Sequence, residues 1–556
     1  MYHVCMVEGN LVTSEEKQLE VWKNYFEELL NKEENKENHI LESEKQCIKD
    51  PKINVEPPTK SEIIKAIKEL KNGKAPGVDN ISPEILKADP ETTADIFQNL
   101  IHQIWEEEIL PTDWKKGLMV KIPKKGDLSQ CSNWRGITLL SIPSKILTKI
   151  ILNRIKDIVD TKLRREQAGF RKDRSCVDLI NTLRIIVEQS AEFQTPLYLT
   201  FVDFEKAFDS LNRTYIWKTL NTFGLPTKII NLIKALYDNY TCQVLHDGKL
   251  TESFGVKTGV RQGCLLSPII FLMVLDSVLS KTNNKPRGVQ WTINERLEDI
   301  DFADDLCLMS SRLIDMKEKI ENLNKEGSKL GLKINERKTK EMRLNTTNEE
   351  EITVNGHTLE RVEQFQYLGS LITKQGGTEE DVEQRIRKAK GVFAQLRSIW
   401  LSQELRRKTK MRVFESNVKS VLLYGCQTWK ITKNITRKLQ NFVNNCLRKI
   451  YKIYWPEKIR NEDLWEKSGQ IPIAEVVKKR KFGWIGHTLR RDPQNISRQA
   501  LEWNPQGARK KGRPRITWRK TVEKEIEREG KTWGEIKAMA RNRVRWKSFV
   551  AALRPP

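Results

Sequence analysis

The chain has 556 residues, room for roughly two to four domains, and carries 98 basic against 74 acidic side chains, a net charge of +24. That excess favours a polyanionic partner and salt-sensitive binding, a trait shared with ribosomal and membrane-surface proteins. Nine cysteines, an odd number without C-x-x-C spacing, argue against a disulfide framework or zinc module and fit a reducing intracellular compartment; no apolar run reaches membrane-spanning length and no signal peptide precedes the chain, so the expectation is a soluble protein.

Taken in order, residues 14–31 place Leu19, Trp22, Tyr25, Phe26, Leu29 and Leu30 at helical spacing, a core-facing stripe. An Asn/Glu/Lys-rich linker runs to about residue 58. Ile63, Ile64, Ala66, Ile67 and Leu70 predict a helix ending before Asn72-Gly73. Gly73-Lys74-Ala75-Pro76-Gly77 is then a loop, whose Lys74 reads as a solvated turn or a phosphate contact. Leu118–Pro123 alternates like a strand, and Gly136–Leu140 is its candidate partner, which puts Lys121 and Arg135 near one another. Two surface bases on a hairpin is the ordinary alternative.

Three stretches carry chemistry. Leu197–Phe204 is an apolar, buried-strand pattern that delivers Asp203 at its end, where the acid is either a helix cap or a metal ligand. Gly259-Val260-Arg261-Gln262-Gly263 leads into Ser267 and Pro268, an expected N-cap and N1 of an apolar helix; the glycines would let a base pair or sugar approach the backbone. Ile300–Met309 reads as a β-hairpin with Asp304 and Asp305 at its tip. Strand-end acids far apart in sequence can converge on two metal ions that clamp the attacking and leaving oxygens of a phosphoryl transfer.

The order Asp203-x4-Phe208, Gln262-Gly263-x3-Ser267-Pro268 and Phe302-Ala303-Asp304-Asp305 resembles the reverse transcriptase of non-LTR retrotransposons (LINE-type, RTE- and jockey-like). Gly73–Asp79, Asn133–Leu140, Glu166–Arg171, Gly331–Asn335 with Lys338-Thr339-Lys340, and Tyr367-Leu368-Gly369 extend the likeness over about residues 60–375. The resemblance implies an α+β right-hand polymerase, with an antiparallel palm, helical fingers and thumb, and a basic helical tail. It implies Asp203 and Asp304 as metal ligands with Asp305 in support, holding two Mg²⁺ with Mn²⁺ as a substitute. Lys121 and Arg135 would hold the incoming dNTP. Phe208 would exclude a ribose 2′-hydroxyl, unless it is core packing. Gln262 and Gly263 would border the template and nascent pair. Lys338 would contact phosphate or donate a proton, unless it is simply solvated. Lys74 would touch template, and Tyr367, Leu368 and Gly369 would support the primer.

The expected organisation is an N-terminal helix and charged linker (1–58), fingers and palm (59–375), a thumb (376–455, with helices over Val382–Trp400 and Arg406–Leu423), and a nucleic-acid-binding region (456–556). Cys426, Cys446 and His487 match no zinc spacing. Between residues 501 and 520 fall seven bases and one acid. Arg509, Lys510, Lys511, Arg513 and Arg515 would bind phosphates while Trp518 stacks on a base or sits in a core. Lys478-Lys479-Arg480-Lys481 is a weak candidate for nuclear import, so residence is nuclear, cytoplasmic or both. The expected partners are an RNA template, a DNA primer or nicked target, dNTPs, and an endonuclease encoded upstream or in trans, whose paired motifs are not found in the sequence. The alternatives are a domesticated or truncated copy that only binds nucleic acid, and a group II intron-type maturase.

Overall fold

The computed structural model describes residues 6–7, 10–12, 14–31, 53–124, 126–509 and 511–553, so most of the expected linker, and Lys510, lie outside the described residues. The elements that position the site begin with helices α1 (Glu15–Leu30) and α2 (Lys60–Lys68), strands β1 (Lys116–Pro123) and β2 (Trp134–Leu140), helix α3 (Cys176–Phe193) and strand β3 (Leu197–Val202). Strand β4 (Thr241–His246), helix α4 (Ser267–Thr282), the hairpin β5 (Asp299–Phe302) and β6 (Asp305–Ser310), and helix α5 (Leu313–Lys329) follow. Then come β7 (Lys340–Leu344), the hairpin β8 (Gln364–Tyr367) and β9 (Ser370–Thr373), and helices α6 (Glu379–Gln395), α7 (Lys433–Tyr451), α8 (Ile473–Leu489) and α9 (Trp518–Arg528). The chain divides into two compact units that interleave in sequence: Met1–Arg171, Asp203–Asn284 and Ile320–Asn335 form the first, and Lys172–Val202, Lys285–Lys319 and Glu336–Pro556 the second.

In the first unit β1 pairs antiparallel with β2 (Lys121 opposite Gly136) and parallel with β4 (Met119 beside Val244). The stripe on α1 behaves as its spacing predicts, burying Trp22, Phe26 and Leu30, with Trp22 edge-on to Trp134 of β2. Helix α2 starts at a capping box in which Thr59 and Glu62 satisfy each other's backbone N–H groups. Helix α4 begins at Ser267, one residue earlier than expected. Its hydroxyl donates to the Arg261 carbonyl (2.6 Å) rather than capping, and Leu266 takes the cap position.

The second unit is built on a sheet ordered β5-β6-β3-β7, with the short strand Glu360–Arg361 added in parallel at the edge. Every residue of β3 is buried, as a central strand covered on both faces requires. A hydrogen-bonded hub ties the helices to it. The fully buried Asp381 carboxylate on α6 accepts from Arg184 Nη2 (2.8 Å), Ser370 Oγ (2.7 Å), the Leu371 N–H (2.9 Å) and Trp429 Nε1 (2.9 Å). Four donors on one carboxylate offset the cost of taking that charge out of water.

Candidate active site

The β5–β6 hairpin reverses through two residues, Ala303 and Asp304, closed by the pair Phe302–Asp305. Ala303 takes φ +57°, the left-handed conformation that so tight a reversal demands. Asp304 is half-buried and Asp305 exposed. Val202, the last residue of β3, is paired with Leu306. Asp203 follows Val202 directly in the chain, and Asp304 and Asp305 directly precede Leu306. The hairpin is braced from within: Lys319, completely buried, pairs with Glu298 and donates to the Met309 carbonyl (2.7 Å).

A second hairpin stands beside the first. Tyr367 is buried, its hydroxyl pushed well above its ordinary pKa by that burial, and it donates to the Ile300 carbonyl of β5 (2.9 Å). Phe365 stacks on Phe201 of β3 with ring centres 4.1 Å apart. At the tip, Leu368 (φ +46°) and Gly369 (φ +79°) turn their carbonyls onto two residues that sequence reading missed. Tyr424 Oη donates to Leu368 O (2.9 Å), Arg385 Nη2 donates to Gly369 O, and the Arg385 guanidinium lies over the Tyr424 ring. Because the acceptors are backbone carbonyls, no motif advertises these donors.

In the first unit, the segment after Asp203 is fastened to Lys333–Asn335. The Asn335 N–H donates to Asp203 O (2.8 Å) and the Glu205 N–H to Lys333 O (2.9 Å). Gly331 (φ +87°) is needed there, since a Cβ would collide with the Ser210 carbonyl. Phe208 stacks on Phe271 (4.1 Å) and meets Phe170 edge-on. Gln262 donates its amide to Asp209, a third residue the sequence did not single out; burial pushes that carboxyl above its ordinary pKa.

Several expectations are corrected. Gly263 (φ +111°) is required by the protein itself: a Cβ would strike the Thr138 carbonyl, and the Thr138 N–H donates to Gln262 O (3.2 Å). Lys121 and Arg135 do not converge. Lys121 is opposite Gly136 while Arg135 is opposite Ile122, and cross-strand positions one residue apart point to opposite faces. Lys121 Nζ lies over the Trp22 ring (4.2 Å) and donates to His246 Nδ1, while Arg135 is exposed. Lys74 and Lys338 are exposed. Trp518 is a core residue rather than a stacking platform: it is 1 % exposed, its N–H donates to Glu188 and its Nε1 to Gln427 O (2.8 Å). Arg509 and Lys520 pair with Glu192 of α3, which also accepts from the Arg515 N–H, leaving Lys511 and Arg513 exposed in the loop between. The import-signal reading of Lys478–Lys481 fails because Lys478 and Lys481 are buried in ion pairs with Glu529 and Glu525.

Among the described residues no three His, Cys, Asp or Glu side chains form a ready-made metal cage. Nor is any described helix long and apolar enough to cross a membrane.

Residues 122–372 match the family described as "Reverse transcriptase (RNA-dependent DNA polymerase)", and residues 392–424 match one described only as a domain of unknown function. Among curated proteins, the chain is 26 % identical to the Pol polyprotein of the type-1 retrotransposable element R2 of Popillia japonica, over 71 % of this chain and 55 % of that protein. It is 25 % identical to the probable RNA-directed DNA polymerase from transposon BS of Drosophila melanogaster (81 % and 50 %), and 26 % identical to the transposon TX1 149 kDa protein of Xenopus laevis (47 % and 20 %). The chain thus spans about half or less of the length of these relatives. A solved structure of Candida tropicalis telomerase with a telomeric RNA fragment aligns with 74 % of this chain and 68 % of its own, at 17 % identity and a TM-score of 0.38. The motifs and the matched domain agree: residues 122–372 are similar to reverse transcriptases, and the curated relatives are proteins of transposable elements.

Proposed function

We propose that the chain is an RNA-directed DNA polymerase that copies the RNA of a non-LTR retrotransposon from a primer 3′-hydroxyl. What supports this reading is the match of residues 122–372 to reverse transcriptases, together with Asp203 directly after β3 and Asp304 and Asp305 at the β5–β6 turn. Asp203 and Asp304 hold the metal and Asp305 supports them. Two Mg²⁺ ions, or Mn²⁺ in their place, would supply charge neutralisation for the attacking and leaving oxygens when bound. The residues themselves do the positioning. The exposed turn presents hard oxygen donors, Tyr367 fixes the second hairpin against β5, and the Leu368–Gly369 tip steadies the primer end. Arg135, exposed on the first unit's sheet, receives the triphosphate, with Lys338 a further phosphate contact and Lys74 a template contact; Phe208 screens the sugar. Residues 59–375 act as fingers and palm, 376–455 as thumb, and 456–556 hold nucleic acid through the loop containing Lys511 and Arg513. The partners are an RNA template, a primer or nicked DNA target in the nucleus or cytoplasm, dNTPs, and an endonuclease encoded upstream or in trans.

The test is primer extension on an RNA template with dNTPs and Mg²⁺, beside Asp304→Ala. Extension by the unaltered protein, lost in the variant while template–primer binding persists, is the expected result. Binding by both with extension by neither would leave a nucleic-acid-binding protein only.

A further inference from the structure

Outside the matched polymerase domain, the second unit contains a groove of about 1070 Å³ between α6, the short helix Arg397–Leu401 and α7. Its floor is apolar. Phe393 stacks on Trp400 (5.0 Å, 14°), and Ile386, Phe442 and Cys446 continue the surface. Its rims are cationic: Arg387 and Lys390 stand on α6, Arg397 on the short helix, and Lys438 and Lys449 on α7. Glu383 is the one carboxylate in the lining, and it is tied to Lys438 (2.6 Å) at one end. Lys390 of α6 and Lys449 of α7 both act on the Cys446 thiol, which burial nonetheless pushes up to about 12.

We propose that this groove binds a single strand of nucleic acid, its phosphates on the two rims and its bases on the aromatic floor. Four observations select that occupant. The rims carry five cations against one carboxylate, complementary to a polyanion. Lys438 and Lys449 lie on one face of α7 about 16 Å apart, a span suited to a run of phosphates rather than to one anion. Asn441 and Asn445, exposed one turn apart between them, offer amides that both donate and accept, as base edges require. Tyr454 at the mouth is 56 % exposed and Trp455, next in the chain, 85 % exposed, so aromatic faces remain for stacking. A duplex keeps its bases paired and stacked and cannot lay them on a recessed floor, whereas an unpaired strand can. The site goes beyond the polymerase reading and is independent of catalysis at the aspartates.

The experiment is photocrosslinking of a short oligo-uridine carrying 4-thiouridine to the full chain, mapped to peptides by mass spectrometry. It is run with Lys390→Glu/Lys449→Glu and with Tyr454→Ala, all exposed positions, and primer extension is assayed in parallel. Crosslinks in the peptides around Phe393 and Tyr454, reduced about tenfold in the charge-reversal variant, are expected. Crosslinks only elsewhere, or groove crosslinks unchanged in both variants, would overturn the proposal. So would retention of an acidic amphipathic Leu/Glu peptide in place of the RNA, with binding lost in the variant. Groove crosslinks without extension by any protein would leave this site standing while the polymerase reading fell.

Discussion

Glu188 is the acid from which the basic tail hangs. Burial pushes its carboxyl up to about 6, against the opposing pull of the Trp518 N–H and the cations of Lys430, Arg184 and Arg519. Since the folded pKa lies above the ordinary 4.5, the folded state favours the protonated form. Stability from this group is complete below pH 4.5 and is lost as pH rises through 6, by about 2 kcal/mol. Glu188→Gln keeps an acceptor for Trp518 and removes the ionisation. The melting temperature of the variant is expected to exceed that of the parent at pH 7.5 and to match it near pH 4.5; equal differences at both pH values would contradict the assignment. Phe208 is testable on the same scale. With Phe208→Ala, ribonucleotide incorporation relative to deoxyribonucleotide rises on the order of tenfold or more in single-nucleotide extension, and an unchanged ratio would reduce Phe208 to a packing partner of Phe271. At this scale the sequence was legible where local pattern fixes the conformation, as for the tight turn that carries Asp304. It was silent where the partner is remote: Glu188 lies over three hundred residues from Trp518, so the basic neighbours of that tryptophan suggested a nucleic-acid contact where the fold makes a core.

The elements repay a different kind of test. Tyr424→Phe removes the hydroxyl's bonds to the Leu368 carbonyl and the Cys176 thiol, a loss of about 0.5–1.5 kcal/mol for each. Extension at subsaturating primer should slow by roughly 2- to 10-fold with little change at saturating primer, whereas Arg385→Ala, which frees the neighbouring carbonyl as well as the ring contact, should slow it further. Asp381→Ala strands the Arg184 guanidinium in the core, and thermal or denaturant unfolding of the second unit should register a loss of about 3–5 kcal/mol. Strand β3, the β5–β6 hairpin, the β1–β2 ribbon and helix α1 were all readable from periodicity, because burial writes itself into the spacing of apolar residues. Register is not written there. The offset that sends Lys121 and Arg135 to opposite faces is a single residue, and only the paired strands reveal it.

For the molecule as a whole, charge sets the terms of binding. With a net charge of +24, affinity for RNA should fall steeply with ionic strength, and replacing Lys511 and Arg513 by Ala should flatten the slope of log K against log salt by about one per residue removed. A slope untouched by both changes would remove that loop from the interface. The interleaving of the two units also governs how the protein comes into being. The central strand β3 leaves the ribosome complete at Val202, yet its neighbours β6 and β7 are not finished until Ser310 and Leu344. At roughly 5–20 residues per second, this buried strand of the second unit waits for several seconds to half a minute with both edges open, the interval in which a newborn copy is most exposed to pairing with another. Translation that stalls between those points would therefore yield not a shorter enzyme but an adhesive fragment.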